Sequence, residues 1–297
     1  MIKQPLLVIS YNRPEKLKQV IKKINFKYIN KIYFYSNAPI NDFDKIKVHQ
    51  CRLIINNYNF KGVKKIFFQK THLPVDKSVV KAINFLFSSE KSGIILEDDI
   101  IPTDSFFYLM VNLLKKYENN EKIFHISGFN HLEKINSKYT YHFNQITHVW
   151  GWATWKRAWL KYDPNFKNLK KYKKLKLFTD STLDIYRKYL YEQTKKKLII
   201  TWDYAWDWTI RVQNGLCIRL NFNTIKNIGF DYKATNTKFF NYKISRIKTF
   251  SIKKIYHPKF IFLSDEHDNK YFKIYEKRNL LIKKFYDPIY REAKKIF

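Results

Sequence analysis

The first half of the chain alternates short apolar runs, rich in branched and aromatic residues, with stretches of helical period, and this restricts the fold more than any other feature. The runs PLLVIS (5–10), KIYFYS (31–36), RLIIN (52–56), GIILE (93–97) and IFHIS (123–127) read as strands, most of them buried on both faces. Between the first two, RPEKLKQVIKKI opens with Pro14 at a helix-starting position and sets Leu17, Val20, Ile21 and Ile24 at i, i+3, i+4 and i+7. Residues 78–87 read as a second helix. A third follows the N-cap signal Thr103-Asp104, with Phe107, Met110, Val111 and Leu114 on one face. The order strand, helix, strand, strand, helix, strand, helix, strand predicts an α/β fold of the Rossmann-like kind, a mostly parallel central sheet flanked by helices. In such sheets ligands bind beyond the carboxyl ends of the strands.

With 45% hydrophobic and 18% aromatic residues in 297, the chain can bury a sizeable core. Cys51 and Cys217 lie far apart and form no CxxC pair, which argues against a zinc site and a disulfide framework and fits a reducing compartment. The apolar start is too short for a signal-peptide core, and the longest uncharged window, 139–155, falls short of the roughly 20 apolar residues of a membrane span. A cytoplasmic protein is expected. Residues 1–237 read as one domain and 238–297 as a basic, aromatic-rich extension. A net charge of +32, from 57 Lys and Arg against 25 Asp and Glu, favours anionic partners: phosphorylated ligands, nucleic acid or an acidic membrane face.

Against that charge, GIILEDDIIP (93–102) sets Glu97, Asp98 and Asp99 in a row at the end of a buried strand. A like-charged trio at the rim of the sheet repels itself unless a cation neutralises it. Hard oxygen donors suit Mg2+ or Mn2+, which bind through one or two carboxylates and complete their shell with phosphates and water. Asp99, with Asp98, would then hold a diphosphate; a solvated turn after a strand is the competing reading. At the end of the first strand, SYNRP (10–14) joins Tyr11, Asn12 and Arg13 to a helix start, a combination that favours anions. An exposed turn is again the bland alternative. No GxGxxG or GxxxxGK[ST] follows that strand, so neither a dinucleotide fingerprint nor a P-loop is supported.

Two aromatic stretches follow. In HVWGWATWKRAWLKYD (148–163), Trp150, Trp152, Trp155 and Trp159 are core or a stacking wall for a flat ligand, core being the better reading for most. In TWDYAWDWTIRVQNG (201–215), Asp203 and Asp207 stand among three tryptophans, where apolar surroundings raise a carboxylate's pKa and suit it to accept a proton. On a helix the two acids share one face, and Asp207 is the one expected to cap a helix or pair with Arg211. His125 reads as a satisfied core residue, His257 has no partner spacing, and no GxSxG turn is present.

Taken in order, LLVISYNRP, GIILEDDIIPTDSFF, HISGFN, HVWGWATWKRAW, WDYAW and NIGF…AT resemble bacterial nucleotide-diphospho-sugar transferases of the GT-A type and, more distantly, the N-acetylglucosaminyltransferase I family; the likeness covers roughly residues 1–237. The resemblance implies a metal-dependent hexosyl- or N-acetylhexosaminyltransferase. It would move a sugar from a nucleotide-sugar donor, a UDP-sugar, to a glycan or glycolipid hydroxyl with inversion, in bacterial surface polysaccharide or glycoconjugate synthesis. Carried over, Asp99 ligates Mn2+ or Mg2+, Asp98 meets the ribose, Glu97 the donor sugar, and Tyr11, Asn12 and Arg13 form the nucleotide pocket. Lys77 adds phosphate charge. Asp203 is the acceptor-activating base, with Asp207 as second choice. The chain departs from its relatives at NIGFDYKATNT (227–237), with Asp231 for a glycine and Asn236 for a histidine. The basic surface suggests a peripheral place at the anionic inner face of the membrane, and no specific nucleic-acid partner is expected. The alternatives are a metal-dependent phosphodiesterase, which calls for more converging ligands, and a basic nucleic-acid-binding protein, which leaves the acids unexplained.

Overall fold

The computed structural model describes residues 2–175, 178, 181–229, 246–264 and 266–273. The elements run β1 (Gln4–Ser10), α1 (Pro14–Ile21), β2 (Ile29–Ser36), α2 (Asp42–Asn57), β3 (Val63–Phe68), α3 (Val75–Phe87), β4 (Ser92–Glu97), β5 (Ile100–Pro102) and α4 (Asp104–Lys116). There follow β6 (Ile123–Ser127), β7 (Tyr141–Asn144), β8 (Trp152–Trp155), α5 (Lys156–Trp159), α6 (Leu169–Lys174), α7 (Thr182–Lys195), α8 (Asp203–Val212), β9 (Leu216–Leu220), β10 (Ile225–Asn227) and a short last helix, Glu266–Tyr271.

Eight strands form one sheet in the order β3-β2-β1-β4-β8-β6-β9-β7. Only β8 and β7 run against the rest among the described residues, so the sheet is mostly parallel, as the alternating pattern predicts. Burial on both faces explains why the central strands read as unbroken apolar runs. Leu6 and Val8 of β1 point into a core under α1, α2 and α4, while Leu7 and Ile9 point into one under α3, α5 and α8.

One expected strand is overturned. RLIIN (52–56) lies inside α2, because Val48, Cys51 and Ile55 carry a helical stripe that starts upstream and runs through it, and the Asn41 side chain caps the helix by accepting from the Asp44 N–H at 3.0 Å. Leu53, which lent the run its strand-like look, is 44% exposed. The strand of that region is β3, VKKIFF, an edge strand whose lysines interrupt the apolar signal.

The described part of the C-terminal stretch lies on the sheet. The Phe250 N–H donates to the Asn223 carbonyl at 2.9 Å, the Ser264 N–H to the Phe143 carbonyl at 2.9 Å, and Asp268 in the last helix pairs with buried Arg219 at 3.3 Å. Among the described residues no helix is long and apolar enough to cross a membrane.

Candidate functional site

The parallel register of β1 and β4 opposes Ile9 to Glu97, so the turns after the two strands leave the sheet side by side. The Tyr11 N–H donates to Asp98 Oδ2 at 3.0 Å, and Arg13 Nη1 donates to Asp99 Oδ2 at 2.6 Å while standing 3.7 Å from Asp98 Oδ1. The Tyr11 hydroxyl and the Asn12 amide both turn to Asp44, at 2.7 and 2.6 Å. These two side chains therefore fix the turn that aims Arg13. Asp44 is a residue that motif reading misses; its only signal is an acid in the first turn of a capped helix.

The three acids are crowded, with Asp98 and Asp99 buried and Glu97 half-buried. Burial first, then the charges of Asp99 and Asp98, push Glu97 up to about 8, against the opposing pull of Arg13. Burial and Asp99 push Asp98 up to about 7, while Arg13, the Tyr11 N–H and Lys16 oppose the rise. Asp99 is raised as well, because burial outweighs its contacts with Arg13 and Lys16. Lys16, three residues after Arg13 on α1, thus belongs to the site although no motif marks it. On the other side, β10 pairs antiparallel with β5, and the Ile228 N–H donates to the Asp99 carbonyl at 2.8 Å. A Cβ at Gly229 would stand 2.1 Å from Asp99 Oδ2, so any side chain there would displace the Asp99 carboxylate. Phe230, Asp231 and Asn236 lie outside the described residues.

Helix α8 carries both tryptophan-flanked acids, in different settings. Asp203, in the first turn, accepts through Oδ1 from the Thr201 hydroxyl and from the Tyr204 N–H at 2.9 Å. Its pKa is raised by burial, and its charge reaches Glu97, so it stands toward the acid rim. Asp207 accepts from the Thr147 N–H at 3.0 Å, the Thr147 hydroxyl at 3.2 Å and the Tyr191 hydroxyl, and pairs with Arg187 at 3.6 Å. The expected Arg211 partner is instead on Asp184, at 2.7 Å. Lys77 is exposed in the first turn of α3.

The tryptophans divide as burial requires. Trp152, Trp155 and Trp159 are core, with Trp152 stacked on Trp202 at 5.5 Å, whereas half-buried Trp150 lies 4.7 Å from Phe129. Gly151 between them takes φ +62, a conformation that favours glycine. His125 is wholly buried, its Nε2 on the His148 carbonyl at 3.1 Å and its pKa lowered to about 3 by burial. His257 meets the Tyr141 hydroxyl at 2.8 Å.

Among the described residues no three His, Cys, Asp or Glu side chains are placed to hold a metal ion by themselves. The donor chemistry of Asp98 and Asp99 fits Mg2+ or Mn2+ in its substrate-assisted form, one or two carboxylates with phosphate oxygens and water as the remaining ligands. What the arrangement offers chemically is a hard-cation rim beside an arginine, faced by a carboxylate of raised basicity.

No family model and no curated protein matches the chain. Among solved structures, the crystal structure of GalNAc-T7 with UDP, GalNAc and Mn2+ is similar at a TM-score of 0.44 and 11% identity, over 74% of this chain. The match takes in 43% of that protein, so the chain spans less than half of its length.

Proposed function

We propose that the chain is a GT-A type glycosyltransferase that moves a sugar from a nucleoside-diphosphate donor, a UDP-sugar, to the hydroxyl of a glycan or glycolipid. One observation carries the reading: Asp98 and Asp99, just after β4, meet Arg13 at the carboxyl rim of a mostly parallel sheet, close enough to Asp203 for its charge to be felt at Glu97. The order of motifs in the sequence supports the same assignment.

Asp98 and Asp99 would hold Mn2+ or Mg2+, whose bound ion supplies charge neutralisation of the diphosphate. Arg13 and Lys16 add fixed positive charge to the leaving group, and Tyr11 and Asn12 keep the Arg13 turn in place. Glu97 faces the donor sugar. Asp203 is the base of choice: the Thr201 hydroxyl and the Tyr204 N–H hold it through Oδ1, and its raised pKa suits it to accept a proton. The acceptor hydroxyl gives its proton to Asp203 as its oxygen bonds the anomeric carbon. The bond from that carbon to the diphosphate breaks, the electron pair leaving with the diphosphate, and the configuration inverts. Asp207, held by four contacts from Thr147, Tyr191 and Arg187, serves to anchor α8 rather than to take a proton. Lys77, exposed in the first turn of α3, would add phosphate charge. The basic surface would hold the protein at an anionic membrane face, which flotation with acidic against neutral liposomes tests; equal recovery on both removes that part.

The test of the function is release of nucleoside diphosphate from a panel of nucleotide sugars with Mn2+ or Mg2+. Loss of a group that merely supports a metal ligand costs about 10- to 100-fold, so Asp99→Asn should cost at least about 100-fold. Failure of every donor to bind, together with tight salt-sensitive RNA binding, would replace this reading by nucleic-acid binding.

A further inference from the structure

A second recess lies on the same rim of the sheet as the acids. The register makes β9 parallel to β6, and both run as β4 does, so the chain leaving β9 at Asn221 emerges beside the acid rim. Three strand spacings separate the two places, about 14 Å. The recess is a groove of about 430 Å3 between residues 134–140, Asn221-Phe222 and the stretch 252–256. Among the described residues four lysines line it, Lys134, Lys138, Lys253 and Lys254, and no acid does. The adjacent Glu133 turns its carboxylate to the Lys248 N–H at 3.3 Å.

The walls are fixed before any ligand arrives. Thr140 and Tyr256 exchange hydrogen bonds, the Thr140 N–H to the Tyr256 carbonyl at 2.8 Å and the Tyr256 N–H to Thr140 Oγ1 at 2.7 Å. Buried Asn221 donates to the Tyr139 carbonyl at 2.8 Å and meets His142 at 2.6 Å, and Ile252 is pinned by its N–H to Ser105 Oγ at 2.8 Å. Over this frame the Lys138 and Lys254 ammonium groups sit 5.3 Å from the Tyr139 and Tyr256 ring centres. The groove thus offers two tyrosine rings and four positive charges on a hydrogen-bonded backbone frame, a combination that fits sugar rings bearing carboxylate or phosphate groups.

We infer that this groove binds an acidic glycan. Its service as the acceptor site of the acid rim rests on the transferase reading; the binding itself does not. Titration calorimetry on the full chain, without donor or metal, tests it with a heparin-derived hexasaccharide as acidic probe and maltohexaose as neutral one. Lys134→Ala/Lys138→Ala and Lys253→Ala/Lys254→Ala should each weaken hexasaccharide binding roughly tenfold. The exposed pair Lys22→Ala/Lys23→Ala removes the same charge elsewhere and should change it less than about threefold. Tyr256→Ala, which alters no charge and keeps the backbone bonds to Thr140, should also weaken it, and maltohexaose should not bind. Equal losses from groove and control pairs overturn the inference, as does an unaltered Tyr256→Ala. Groove-dependent binding of phosphatidylglycerol vesicles or oligo-U RNA, with the hexasaccharide unaffected, would overturn it in favour of those ligands. Failure of the transferase assay leaves these readouts untouched.

Discussion

Replacing Glu97 by glutamine should stabilise the protein in alkaline solution and do almost nothing in acid. Glu97 is raised from an ordinary 4.5 to about 8 by burial and by Asp99 and Asp98. The folded state therefore holds a proton that the unfolded chain has released, and stability falls as pH rises between those two values. A rise of about 3.5 pH units corresponds to about 5 kcal/mol when the group is fully ionised, a ceiling set by the whole effect falling on one side chain. Protons redistribute among three neighbouring acids, and Arg13 screens them, so the gain expected for Glu97→Gln is about 2–4 kcal/mol at pH 9. At pH 4 the group is protonated in the folded state and mostly protonated in the unfolded chain, and the difference should stay within about 0.5 kcal/mol. Urea unfolding at the two pH values measures it from midpoint shifts at constant slope. A gain of equal size at both pH values would mean that packing rather than charge is involved. No gain at pH 9 would mean that water reaches the carboxylate, and the crowding of the acid rim would be refuted.

Other perturbations separate structural from chemical roles. Asp268→Ala removes the carboxylate 3.3 Å from Arg219, which is 1% exposed and keeps its bond to the Ile146 carbonyl, and should cost about 3 kcal/mol in chemical denaturation; a cost below about 1 would show that the last helix does not dock as described. Asp203→Asn should abolish turnover with a stability change under about 1 kcal/mol, whereas Asp207→Asn should destabilise by about 2–3 kcal/mol because it weakens four contacts around buried Arg187. The reverse pattern would exchange the roles of the two acids. Gly229→Ala puts a methyl 2.1 Å from Asp99 Oδ2 and should remove the thermal shift given by Mn2+ while leaving a folded protein; an unchanged shift would detach Gly229 from the site.

Strands β1, β2, β4 and β6 were legible in the sequence because each is covered on both faces and so reads as an unbroken apolar run. Edge strand β3 was not, since Lys64 and Lys65 interrupt it, and RLIIN misled because five residues hold too little of a helical stripe to reveal its period. The meeting of Arg13 with Asp98 and Asp99 could be inferred from chemistry at the ends of two strands that the βαβ pattern makes parallel. Asp44, Lys16 and Gly229 could not. Their places follow from how α2, α1 and the β5–β10 pair pack, which local spacing does not encode. The same limit applies to Asp207, whose true partner, Arg187, lies on α7 and not on its own helix.

The contrast between a net charge of +32 and a crowded rim of acids, two of them buried, sets an order of binding. Lysines over the surface attract anions at long range, but a diphosphate arriving at β4 meets Asp98 and Asp99 at short range, where local charge dominates. Arg13 and Lys16 bring two positive charges against three carboxylates, and burial still leaves all three acids raised. Between one carboxylate and one phosphate charge about 6 Å apart, an effective dielectric of about 20 gives a repulsion of about 3 kcal/mol, or roughly a hundredfold in affinity. Under the transferase reading a divalent cation must cancel that term. UDP should therefore bind roughly a hundredfold more weakly in EDTA than in Mn2+, and Asp98→Asn/Asp99→Asn, by removing the repelling charges, should recover part of the metal-free affinity. Equal UDP binding with and without metal would show that Arg13 and Lys16 alone neutralise the rim, and the assignment of Asp98 and Asp99 as metal ligands would fall while the nucleotide site stood.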